Sequence, residues 1–190
     1  GRLFPDTAEV RAMMLVEGTL AILQGKAGTI PEISAQAIHR ASLELQIDPA
    51  GLSDATGQNG VSVPGLVAEF RKLMQAPEHA QYLHFGATSQ DITDTALMLR
   101  LRHLLGLQES ALKSMLAHLR KLATDHADTP MVARTYAPSA TLTSFWATVA
   151  SWGHPLIYLL DEMENLRAST PWLPLAGAAG SAPAFRRHPR

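Results

Sequence analysis

The stretch His84-Phe85-Gly86-Ala87-Thr88-Ser89-Gln90-Asp91-Ile92-Thr93-Asp94-Thr95-Ala96-Leu97 decides how this chain is read. A short polar loop runs directly into a long apolar-periodic segment. Thr88, Ser89 and Asp91 are residue types favoured at helix N-caps, and Asp94 falls in the first turn, where a negative charge suits the helix dipole. A capped helix accounts for one cap and one acid. It does not account for a His, a Gly, two adjacent hydroxyls and a Gln gathered ahead of the same helix. Backbone N–H groups at a helix N-terminus, with the Thr88 and Ser89 hydroxyls, make a site suited to a carboxylate or phosphate.

The spacing that follows predicts one long helix from Asp91 to about His126. Leu97, Leu101, Leu104, Leu105, Leu112, Met115, Leu116, Leu119 and Leu122 form its apolar stripe. At 1.5 Å per residue it reaches roughly 50 Å. Gly106 is a weak point in it, costing on the order of 1 kcal/mol against Ala. Lys113, Arg120 and Lys121 belong to solvated faces. His103, His118 and His126 have no metal-ligand spacing and read as ordinary histidines.

Upstream, Asp6 and Glu9 have the spacing of a capping box opening a first helix, which Gly25 and Gly28 end. Pro31 starts a second helix running toward Leu45, and Asp48-Pro49 a short third segment that breaks up at Gly57 to Gly60. Val61 to Gly65 reads as extended or turn-like, with Pro64 opening a helix that Pro77 closes. Downstream, the loop Asp128 to Ser139 leads into Ala137 to Leu160, which carries no formal charge apart from His154. Its length alone suits a membrane span. Its six Ser or Thr, with Gly153, His154 and Pro155, argue instead for a helix buried on most sides in a protein bundle, kinked or interrupted at Pro155. Such a helix is usually covered by oligomerisation or by a large domain. No strand run with clear alternation and no internal repeat stands out, so the architecture is read as all-α, with long helices side by side.

Composition agrees. The 190 residues are 46% hydrophobic and 17% charged, a globular balance. A net charge of −1 gives no footprint for nucleic acid or an acidic membrane surface. Cysteine is absent, which removes disulfides, thiolate zinc sites and a Cys nucleophile and is compatible with a reducing cytoplasm. The N-terminus lacks a secretory pattern, and a chain that starts without Met is expected to be trimmed.

His84 to Leu97 resembles the first signature region of the fumarase/aspartase superfamily. Gly86-Ala87-Thr88-Ser89-Gln90-Asp91 followed by Asp94-Thr95-Ala96 is most similar to its 3-carboxy-cis,cis-muconate cycloisomerase family. Val63-Pro64-Gly65-Leu66-Val67 resembles a segment that precedes the signature there. Adenylosuccinate lyases usually differ at Ala87 and Gln90. The resemblance implies the N-terminal portion of a long-helix bundle that assembles through its long helices, as a homotetramer. It also implies reversible β-elimination, or the intramolecular addition of a carboxylate of 3-carboxy-cis,cis-muconate across its own double bond, in protocatechuate catabolism. No metal or organic cofactor is implied; the partner is a small tricarboxylate, with no nucleic acid or membrane.

By position in the motif, Thr88, Ser89 and Gln90 are assigned to substrate carboxylates and His84 to hydrogen-bond donation or proton transfer. A His satisfied by backbone groups is the competing reading. Asp91 and Asp94 are left as cap and dipole residues, since two carboxylates would repel a tricarboxylate. Arg134-Thr135-Tyr136-Ala137-Pro138 lines up with the superfamily's second region, Arg-Thr-His-Gly-Gln. Arg134 and Thr135 are assigned to the substrate, Arg134 having a structural alternative as a ligand of backbone carbonyls. Tyr136, assigned to a catalytic role, stands where many members carry His. A phenol donates a hydrogen bond but is a poor base at neutral pH, and Pro138 cannot donate as Gln does. The superfamily's third region, a Gly-Ser-Ser-x-Met-Pro loop, does not occur in these residues, and from Ser181 the motif resemblance stops, as in an unrelated or frameshifted tail. The expected organisation is an N-terminal helical domain over 1–83, a long-helix segment over 84–170 and an irregular tail over 171–190. The alternatives are an adenylosuccinate lyase-like enzyme, which should show more phosphate-binding Arg or Lys near its loops, and a catalytically silent or truncated helical assembly protein.

Overall fold

The computed structural model describes residues 2–136, 138–170 and 173–181. Among the described residues the chain is all-α apart from one hairpin, and it divides into two compact units, residues 1–101 with 171–190, and residues 102–170.

The first unit is built on α1 (Asp6–Lys26) and α2 (Glu32–Glu44), an antiparallel pair. Two glycines let them approach closely. A Cβ at Gly18 would stand 2.0 Å from Ser42 Oγ, and one at Gly25 would stand 2.4 Å from the Ala35 Cβ. Gly25, expected to end α1, is therefore inside it and serves packing; the turn falls at Gly28, whose φ of +75° suits glycine. The capping box is not formed. Pro5 is the N-cap and no side chain caps the helix; Glu9 instead pairs with Arg100 at 3.3 Å.

A 3₁₀ turn at Pro49–Leu52 leads to α3 (Ser53–Asn59), which Gly60 closes in the left-handed region. Then come α4 (Val63–Met74) and α5 (Pro77–Ala80). α4 begins at Val63, one residue before Pro64, which was expected to open it; Pro64 fits the first turn, where its missing N–H has no partner to lose. Pro77 begins α5 rather than closing α4, which ends at left-handed Gln75. Met13, Met14, Ile38, Leu66, Phe70, Leu83 and Ile92 are the fully buried centre of this unit. Together they fix α1, α2, α4 and the start of α6 around one core.

The long helix α6 (Ser89–Asp125) starts two residues before the expected Asp91 and continues into the second unit. There it is followed by an antiparallel hairpin, β1 (Pro130–Arg134) with β2 (Ser139–Ser144), and by α7 (Phe145–Ser169). Strands were not expected. The β-branched run around Thr141 and Thr143 pairs with Met131 and Val132, and the register slips between Val132 and Arg134. Ser144 caps α7, its Oγ accepting from the Ala147 N–H at 3.2 Å, so the helix begins at Phe145 and not at Ala137. It runs through Pro155 without interruption. Within this unit α7 lies antiparallel to α6: Glu109 is bonded to Arg167, Lys113 to Glu164 at 3.5 Å, and Gly153 faces Leu119. The uncharged helix is not buried within the chain. Only Val149 and Gly153 are buried on it, while Trp146 and Trp152 are half exposed. One neighbouring helix and a short hairpin cannot cover an apolar surface that runs around most of α7.

Candidate functional site

The first unit holds the loop between α5 and α6 in a strained shape. His84 and Gly86 both take positive φ, +65° and +69°. For a non-glycine residue this costs of order 1–3 kcal/mol and persists only where neighbours hold it. The neighbours here are side chains. Arg71 of α4 donates to the Ala80 and Leu83 carbonyls at 3.2 and 2.9 Å, and Gln24 of α1 donates to the Phe85 carbonyl at 2.7 Å. The residue before the loop and the one after His84 are thereby pinned from two directions.

The His84 ring is pinned as well. Its Nδ1 lies 2.6 Å from Glu17 Oε1, and the Glu17 side chain is 0% exposed while that of His84 is 20% exposed. The other carboxylate oxygen, Glu17 Oε2, is buried without a partner among the described residues. His84 Nε2 makes no hydrogen bond among these residues, and it is not among their buried unpartnered atoms, so solvent reaches it. His84 is thus bonded to a buried carboxylate, not to backbone groups as the competing reading held.

At the start of α6, Thr88-Ser89-Gln90-Asp91 forms a capping arrangement. The Thr88 N–H donates to Asp91 Oδ2 at 3.0 Å. Asp91 is buried, and its carboxylate also accepts from the Ala176 N–H at 2.9 Å and the Gly177 N–H at 3.0 Å. This makes Asp91 a cap, as expected, and adds an anchor that ties residues 176 and 177 to the loop. With its oxygens taken by backbone donors, the Asp91 charge is directed into the scaffold. The Thr88 and Ser89 hydroxyls make no hydrogen bond among the described residues, and neither is a buried unpartnered atom. They are free, solvent-reached donors at a helix N-terminus. Gln90 is partly committed: its Nε2 donates to Asp94 Oδ1 at 2.6 Å, which leaves one amide N–H.

Arg134, Thr135 and Tyr136 belong to the second unit, at the tip of the hairpin. The Thr135 N–H and Oγ1 both donate to the Pro138 carbonyl at 3.2 Å and close the turn. Tyr136 is fully exposed, at 107% of the reference value. Arg134 makes no hydrogen bond or ion pair among the described residues, so the backbone-carbonyl role held as its structural alternative is not found there.

The described residues place free hydroxyls and a carboxylate-bound histidine ahead of one long helix. The chain belongs to the lyase family, whose sequence model (Lyase) matches residues 7–190. That match continues past Ser181, where the motif resemblance ends, so the tail is not unrelated to the family. The chain is 35% identical over 185 residues to a nitrosuccinate lyase of Streptomyces davaonensis, covering 96% of this chain and 39% of the relative. It is 38% identical over 141 residues to a 3-carboxy-cis,cis-muconate cycloisomerase of Pseudomonas putida, covering 73% and 33%. It superposes on the crystal structure of 3-carboxy-cis,cis-muconate lactonizing enzyme from Pseudomonas putida with a TM-score of 0.88 and 33% identity, covering 96% of this chain and 42% of that one. The chain therefore spans about two fifths or less of the length of these relatives.

Glu17, Gln24 and Arg71 were missed by reading the sequence for motifs. Glu17 carried one signal: it is an acid among the apolar Met13, Met14 and Leu20 of the same helix.

Proposed function

We propose that this chain supplies the first carboxylate-binding region of a cycloisomerase acting on 3-carboxy-cis,cis-muconate. The observation that carries the reading is the pair of unpartnered hydroxyls, Thr88 and Ser89, at the N-terminus of a 37-residue helix beside a histidine whose Nε2 is open to solvent. Anion-binding donors there hold a substrate carboxylate by charge-assisted hydrogen bonds. The reaction needs only a proton: a carboxylate oxygen of the substrate bonds to one carbon of the double bond, and a proton is added to the other. His84 is the proton-transfer or hydrogen-bonding group on this side. Gln90, Arg134 and Thr135 are further contacts to the three carboxylates, and Tyr136 is a hydrogen-bond donor. The substrate is a small tricarboxylate from protocatechuate catabolism, no cofactor takes part, and the enzyme works in the cytoplasm as a homotetramer. The exposed aromatic and aliphatic residues of α7 support assembly, since Trp146, Trp152, Ile157 and Tyr158 stand half exposed or more in the single chain.

A second reading is a lyase acting on a substituted succinate. The match to a nitrosuccinate lyase over 96% of this chain favours it. The same loop would hold a succinate carboxylate. Offering both substrates and following loss of 3-carboxy-cis,cis-muconate by its ultraviolet absorbance separates the two. Consumption of the muconate, lowered about tenfold or more by Ser89→Ala, supports the cycloisomerase; each 1.4 kcal/mol of lost transition-state binding is tenfold in rate. Turnover of nitrosuccinate alone supports the second reading, and a chain that neither turns over nor binds either compound removes both.

A further inference from the structure

We infer that Glu17 is a positioning residue for His84, fixing which ring nitrogen carries the proton and presenting Nε2 to the substrate. The inference rests on the proposed role of His84 and deepens it. Glu17 sits on α1 among Met13, Met14 and Leu20, where an apolar side chain would serve packing better. A buried carboxylate is costly unless it is paired. Its one partner among the described residues is His84 Nδ1 at 2.6 Å, and Oε2 has none. A core built only for stability gains little from this arrangement.

An ionised carboxylate can only accept, so the short contact requires the hydrogen on Nδ1. In the neutral ring Nε2 then holds the lone pair, and it is the nitrogen that solvent reaches. It accepts a proton from a ligand, and the imidazolium that results remains bonded to the Glu17 carboxylate. The same contact returns the proton through Nε2. Glu17 itself touches no ligand, because its side chain is wholly buried. Its action runs through tautomer and ring orientation, in the way a carboxylate behind a histidine fixes the free nitrogen. The backbone around His84, held at positive φ by Arg71 and Gln24, sets where the ring starts; Glu17 sets how it is turned.

The test is nitrogen NMR of the imidazole rings in the ¹⁵N-labelled chain, with His84 assigned by its absence in His84→Gln. At a pH where the ring is neutral, the wild-type His84 should show Nδ1 in the protonated range and Nε2 in the lone-pair range. Glu17→Gln, which keeps the volume but can also donate, should move both signals toward each other as the tautomers mix. Glu17→Asp, which keeps the carboxylate, should restore much of the separation. Unchanged amide signals for Met14 and Leu20 show that the fold is kept. A wild-type His84 protonated on Nε2 when neutral, or a ring unchanged by Glu17→Gln, overturns the inference, and the wild-type spectrum alone is enough to do so. If the tautomer is fixed by Glu17 but Nε2 does not respond to added 3-carboxy-cis,cis-muconate, the positioning stands and the proton-transfer role of His84 falls.

Discussion

Asp91 shows how much one side chain organises here. Its carboxylate takes N–H groups from Thr88, Ala176 and Gly177, the last of them 86 positions away from Asp91. Hydrogen bonds to charged groups are worth about 1.5–3 kcal/mol each. Asp91→Asn replaces an acceptor that serves all three with a neutral one that also donates. We expect it to lower stability by about 2–4 kcal/mol in denaturant melts, with faster hydrogen exchange at Ala176 and Gly177. His84→Gln removes the imidazole from the loop, and should slow turnover by about 10²–10⁴-fold, the usual range for a positioned acid or base. At this scale the sequence was legible only where partners lie close along the chain. Asp91 could be read as a cap from its place at the head of a helix. The bond from Glu17 to His84 spans 67 positions, and no local pattern contains it.

Among the elements, packing and local chemistry divided the outcome. The apolar spacing of α6 and the core positions of α4 were readable, because a helix that buries one face must repeat it every three or four residues. Phe70 lies at the centre of that core, and Phe70→Ala should cost about 3–5 kcal/mol by the transfer and cavity terms, seen as a lowered denaturation midpoint. The hairpin was not readable. Pro130 to Arg134 has little alternation, and β1 has a bulge where the register shifts, so only pairing with Ser139 to Ser144 makes it a strand. The first capping box failed for a different reason: Asp6 and Glu9 have the right spacing, but Arg100 takes Glu9 as an ion-pair partner.

Charge along α6 and α7 carries a pH dependence. Hydrogen bonding by Lys113, opposed by desolvation and helped by a lesser contribution from Arg167, holds the Glu109 carboxyl below the usual carboxylate range. Its stabilising contribution is therefore present above the ordinary glutamate pKa and is lost as pH falls through the lowered value. Lys113, bonded to Glu109, is raised above the usual lysine value. Its contribution is present below that ordinary value and is lost as pH rises through the raised one. Glu109→Gln should flatten the acid limb of a stability–pH profile below the ordinary carboxylate range and leave the neutral region nearly unchanged; an acid limb identical to wild type contradicts the pairing.

For the molecule as a whole, the family match covers residues 7–190 and spans about two fifths or less of the relatives compared. Fold class and family were legible because the signature stretch is contiguous and ungapped. The extent of the family match beyond Ser181 was not, since that part carries no recognisable motif and few periodic apolar residues. Assembly belongs to this scale too. Light scattering should report a mass several times 20.5 kDa if the exposed face of α7 is covered by other copies, and Trp152→Glu on that face should lower it. A monomer at all concentrations contradicts the proposed tetramer.

The central claim is that the loop from His84 to Asp91 binds a carboxylate. It is tested most directly by titrating 3-carboxy-cis,cis-muconate into the ¹⁵N-labelled chain and following backbone amides. Two charge-assisted hydrogen bonds amount to about 4 kcal/mol, or a Kd on the order of 1 mM. The account predicts saturable shifts confined to the amides of residues 86–92, lost in a Thr88→Val, Ser89→Ala double variant. Shifts scattered over the surface, or unchanged by that double variant, would contradict it.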